Sequence, residues 1–151
     1  MRIILLSLLL LVGCSSSSGG PNPGQKVLPS ASVYIVPVPD ATDTDGDLVA
    51  GSGQATVASL KEALRNKGIH MSNAQGGYAL KATITHWEHH ATEWNGMPDV
   101  IEVSAELSDG EGLIAIAKSR ITGSALMLVH AMPDRLLPDA AADIVSRLYG
   151  N

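Results

Sequence analysis

From residue 78 the chain alternates. Leu80, Ala82 and Ile84 fall on one face of an extended segment, and Lys81, Thr83 and Thr85 on the other. VIEVSAELSD at 100–109 repeats the pattern with Ile101, Val103, Ala105 and Leu107 inward. The turn DGEG at 109–112 leads to LIAIAKSRITG, which predicts a β-hairpin. Upstream, SVYIVPV at 32–38 is β-branched and closed by Pro37 and Pro39, as a first strand would be. The period then changes. Val57, Leu60, Ala63 and Leu64 form one helical stripe in a helix from about Gly53 to Lys67, with Ser52 as N-cap and Gly68 as stop. IHMSN at 69–73 reads as a short strand, and 39–53 reads as a loop broken by Asp-Gly and Gly-Ser-Gly. Leu137, Ala141, Ile144, Val145 and Leu148 mark a last helix, which must begin close to Pro138. The expected order is β-α-β-β-β-β-α, an α+β fold with a small mixed sheet of about five strands and two helices on one face.

The first residues, MRIILLSLLLLVGC, follow another logic. Arg2 precedes an apolar run too short to span a bilayer, and small residues lead to Cys14. The ending LVGC resembles the lipobox of bacterial lipoproteins. That resemblance implies cleavage before Cys14, the only cysteine, and lipidation of its sulfur and its new amine. Several acyl chains, each contributing about 0.8 kcal/mol per buried CH₂, make a stable membrane anchor. Ser15 stands where an inner-membrane retention signal would place Asp, so the expected address is the outer membrane, facing the periplasm. Residues 14–31, rich in Ser, Gly and Pro, form a flexible tether, and 32–151 form one domain. No intrachain disulfide is open to a chain with a single cysteine.

Charge narrows the partners. The chain has 10 basic and 15 acidic residues, and loss of Arg2 with the leader leaves 9 against 15, a balance of −6. That opposes nucleic acid as a partner. Phe is absent, so the core must be built from Ile, Val, Leu and Ala.

The densest chemistry is ITHWEHHATEW at 84–94. In an unbroken strand His86, Glu88 and His90 share one face, and His86 and His90 are roughly 13 Å apart, too far to share one ion. His86 with Glu88, or Glu88 with His90, supplies two zinc ligands, and a third would have to come from His130 or His70. Nothing in the spacing requires it, and no metal or other cofactor is expected. The core phase of Leu80, Ala82 and Ile84 runs on into His86 and Glu88, while Trp87 falls on the outward phase. Either a bulge resets the register or the strand projects beyond the helices. Trp87 and Trp94 are accordingly candidates for a partner surface, with packing over the sheet edge as the alternative.

Other candidates fall away. Counted from Asp43, DTDGD puts Leu48 and Gln54 where an EF-hand needs Gly and Glu. AGSGQAT lacks the lysine of a phosphate loop. There is no Gly-x-Ser-x-Gly elbow, so no nucleophile–base arrangement is argued and no enzyme is expected.

TITHWEHHATEWNGMPDVIEVSAELSD, with ITGSA at 121–125 and Pro-Asp-x-Leu-Leu at 133–137, resembles an uncharacterised family of proteobacterial outer-membrane lipoproteins. The family motif Trp-Glu-Asp-Arg-x-Thr-x-Trp-Ser-Gly maps onto Trp87, Glu88, Thr92, Trp94 and Gly96. Asn95 replaces Ser, and His89 and His90 replace Asp and Arg. The architecture is also similar to periplasmic domains of the Tol, curli and Pel lipoproteins, which act by binding or ring assembly. The resemblance implies a non-enzymatic domain that binds or scaffolds an envelope protein or associates with itself. A ring-forming export subunit and a His-rich metal-binding protein are the alternatives.

Overall fold

A computed structural model describes residues 31–73, 77–90, 97–123 and 133–150. The leader, Cys14, most of the tether, Trp94 and His130 lie outside them.

The fold is α+β, as the patterning predicts. A four-stranded sheet has the order β1 (Val33–Ile35), β4 (Tyr78–Glu88), β5 (Val100–Ser108), β6 (Leu113–Thr122). β1 runs parallel to β4, and the other neighbours are antiparallel. The parallel pair is joined through α1 (Ser52–Asn66), and α2 (Leu137–Tyr149) follows a 3-10 turn at Pro133–Leu136. The helices pack on one another, and α2 lies over β5 and β6. Between them and the sheet sits an aliphatic core: Leu60 and Leu64 of α1, Ile144, Val145 and Leu148 of α2, and Leu80, Ala82, Val103, Ala105 and Leu107 of the strands. On the opposite face Lys81, Thr83, Glu106 and Lys118 are exposed.

Two expectations about the strands change. Residues 69–73 form no strand; they make one parallel bridge, Met71 to Val33, on the outer side of β1. The stretch expected as a plain loop contains a second, two-stranded sheet, β2 (Ala41–Thr42) with β3 (Leu48–Val49). Its turn is held by Asp43 Oδ1, which accepts the N–H groups of Asp45 (3.0 Å) and Asp47 (2.8 Å). This is an Asx-type turn, and it employs the first acid of DTDGD locally.

The start of α1 also differs. Gly51, at φ 83°, is the N-cap, and Ser52 opens the helix. The Ser52 hydroxyl instead accepts Ala41 N–H at 2.7 Å, tying β2 to the helix. At the far end Gly68, at φ 74°, stops the helix as expected. Its N–H reaches Arg65 O and that of Ile69 reaches Leu64 O, both at 2.9 Å, the paired bonds of a Schellman motif. Pro138 lies in the first turn of α2, where its missing N–H removes no helical bond.

Candidate functional site

The site lies at the C-terminal end of β4, and a single irregularity shapes it. Through Ile84↔Val103 the β4–β5 register is regular; it then shifts, so that His86 faces Glu102 and Trp87 faces Ile101. Thr85 is the extra residue of a β-bulge. Because side chains alternate, one extra residue moves everything after it to the other face. Trp87 therefore enters the core, 6% exposed, contrary to the outward phase an unbroken strand gives it. His86 and Glu88 turn to the open face of the sheet.

There the chain leaves the strand after Glu88, and His90 returns toward it. Glu88 Oε2 accepts from His86 Nε2 at 3.1 Å, and Oε1 meets His90 Nε2 at 2.9 Å. The two imidazoles expected about 13 Å apart thus hold the two oxygens of one carboxylate. The His86 hydrogen bond is the main reason Glu88 has a pKa below the ordinary carboxyl value; burial opposes the shift, and the hydrogen bond and charge of His90 add to it.

A second carboxylate closes the site. Asp99, 8% exposed, accepts the His90 backbone N–H at 2.8 Å and His89 Nδ1 at 3.1 Å on the same oxygen. Its carbonyl accepts Gly123 N–H at 2.7 Å. One residue thereby links the exit of β4, the entry of β5 and the end of β6. Next to it, Glu102 pairs with Arg120 across β5 and β6. Neither Asp99 nor this pair was singled out in the sequence. Asp99 follows a Pro just before a strand, which marks a loop end but not a buried hub, and Glu102 and Arg120 become neighbours only through strand register.

Chemically, the imidazoles and carboxylates described here satisfy one another. Among the described residues no group of three or more His, Cys, Asp and Glu side chains is arranged to hold a metal ion. His70, one suggested third ligand, lies beyond β1 at the far edge of the sheet, where its carbonyl accepts Val33 N–H.

The α1 N-terminus does carry an anion, and the chain supplies it. Asp40 Oδ2 accepts Gly51 N–H at 3.0 Å and Oδ1 accepts Gly53 N–H at 2.8 Å. These bonds, Gly53 first, hold the Asp40 carboxyl below its ordinary pKa. The AGSGQAT turn is thus capped from within the fold.

Among the described residues no helix is long and apolar enough to cross a membrane. No protein-family model and no curated protein matches the chain. Solved structures do. The chain is similar to PelC from Paraburkholderia phytofirmans, solved as a dodecamer in two space groups. The first match has a TM-score of 0.63 and 18% identity over 83% of this chain and 92% of that one. The second has a TM-score of 0.63 and 17% identity over 85% and 94%. It is also similar to a DUF330 protein from Xanthomonas campestris, with a TM-score of 0.60 and 16% identity over 86% and 91%. At these identities the likeness is one of fold, and it extends over nearly the whole of each domain.

Proposed function

We propose that this chain is a lipid-anchored lipoprotein of the outer membrane whose periplasmic domain works by association, as a binding or scaffolding module for an envelope protein. The observation that carries this reading is the fold held in common with PelC over most of both chains. Two features support it. LVGC at 11–14 supplies the lipid-bearing cysteine. The side chains best suited to acid–base work, His86, Glu88, His89, His90 and Asp99, bind one another.

The test begins with Cys14→Ser, which should move the protein from the outer-membrane fraction to the released fraction. Crosslinking in native membranes should capture an envelope protein or further copies of the chain. A Cys14→Ser variant that still sediments with outer membranes, with its crosslinked partners removed, would overturn the anchor. Turnover of an envelope substrate that is lost on Glu88→Gln would overturn the non-enzymatic assignment.

A second reading has its own support: PelC is a dodecamer in both crystal forms. On that reading the domain is a subunit of a lipoprotein ring, and its first partner is another copy of itself.

A further inference from the structure

We infer that copies of this chain join head to tail, the β6 edge of one seated against the β2–β3 hairpin of the next. This rests on the self-association reading above and assigns its two surfaces.

The β6 edge is the first surface. Among the described residues β6 pairs with β5 alone, so ten residues form an edge of the sheet. Such an edge is a template for association unless it is blocked. It carries two of the largest exposed apolar side chains, Leu113 (50%) and Ile116 (48%). Lys118 follows two residues after Ile116 on the same face. Arg120 is neutralised by Glu102, whereas Lys118 stands opposite Ser104 and has no ion-pair partner among the described residues.

The hairpin presents the complement. It is carried on the chain leaving β1, the opposite edge strand, and β2 packs against β4, two strands away from β6. Leu48, at its outer end, is 69% exposed, more than any other large apolar residue described. Asp45 and Asp47 precede it in the same turn, and both are exposed. Each surface thus sets an exposed aliphatic side chain near charge: Lys118 on β6, where Glu106 opposite Ile116 is matched by Lys81 across β4 and β5, and the two aspartates on the hairpin.

Charge also selects the mode of association. Two β6 edges paired about a twofold axis would set the unpaired Lys118 of both copies along one seam, and like charges across strands are unfavourable. Contact between two different surfaces avoids this. Repeated from copy to copy, such a contact closes into a ring when the rotation allows.

The experiment measures the protein mass of the full-length chain in detergent by analytical ultracentrifugation. The variants are Lys118→Glu and the pair Asp45→Lys with Asp47→Lys. All three positions are exposed, so each variant should keep a cooperative melt, lowered only by the loss of assembly. The wild type should be assembled, and each variant should be monomeric at the same concentration. An equimolar mixture of the two variants should regain the wild-type mass, because each reversed surface then meets its reversed complement. If the wild type assembles and either reversal leaves the mass unchanged, or the mixture stays monomeric, the head-to-tail surfaces are wrong and self-association stands. If the wild type is a monomer throughout, self-association falls, and this inference with it.

Discussion

Trp87 stands directly opposite Ile101 across β4 and β5, and both side chains are buried in the core. Trp87→Ala should therefore act as a core truncation and cost about 3–5 kcal/mol, the usual range for a buried aromatic. A surface anchor would cost well under about 1 kcal/mol and remove only association. Denaturant melts of the purified domain distinguish the two. A melt within about 1 kcal/mol of wild type would show that the indole is not part of the core.

How much of this was legible depends on range along the chain. The alternation of Leu80, Ala82 and Ile84 and of Ile101, Val103, Ala105 and Leu107 placed the inward faces correctly, because burial repeats at every second residue. The stripes of α1 and α2 were legible for the same reason. Thr85 was not: a bulge is one residue long, and threonine suits a regular strand equally well. Polarity alone offered a bulge after Ile84 as one of two options, so the face of Trp87 stayed open, and only the unbroken strand kept His86 apart from His90. Strands of two residues such as β2 and β3 are too short for a period. The cap that Asp40 provides to Gly51 and Gly53 spans 11 and 13 residues and depends on where β2 carries the chain. Local cap rules instead favoured Ser52.

Gly53 tests that junction. It occupies the second position of α1 with an ordinary backbone, so its need for glycine is one of space. A Cβ there would lie 2.1 Å from Val38 O and 2.9 Å from the carbonyl carbon of Pro39. Alanine improves helix propensity by up to about 1 kcal/mol, but a clash with main chain of this depth costs typically 1–3 kcal/mol and on occasion more. Gly53→Ala should thus be destabilising on balance, by up to about 3 kcal/mol. Denaturant midpoints check it, and a stabilised variant would refute the close approach.

Tyr149 should make the fold sensitive to alkali. Its hydroxyl is buried without a hydrogen-bond partner among the described residues. Burial first, and the neighbouring Tyr78 second, push its pKa up to about 12 from an ordinary 10.0. Between those values the folded state keeps a proton that the unfolded state has lost, so the tyrosine's contribution declines as pH rises above 10. Tyr149→Phe removes this dependence and an unpaired buried oxygen, so it should be neutral or stabilising near pH 7. Melting temperatures of both proteins between pH 8 and 11 measure it. Equal alkaline slopes would show that Tyr149 has the same pKa in the folded and unfolded states, so that the fold does not hold its proton.

Glu88 governs the opposite limb. Its folded pKa is lowered from 4.5, chiefly by the His86 hydrogen bond, so the unfolded state binds more protons as the pH falls through that region. The stabilisation is fully present above 4.5 and lost as pH drops through the folded value. Glu88→Gln keeps the shape, loses the charge, and should be less stable than wild type at neutral pH, with a gap that narrows below pH 4.5. Acid titration of the two melting temperatures is the measurement; a constant gap would mean that the carboxylate gains nothing from its histidines. Metal content separates internal pairing from metal binding. With both oxygens of Glu88 engaged by imidazole, the purified domain should carry no stoichiometric metal, and added zinc should not raise its melting temperature. One zinc per chain by elemental analysis, lost on His86→Ala, would replace the internal pairing with a metal centre at the same three residues.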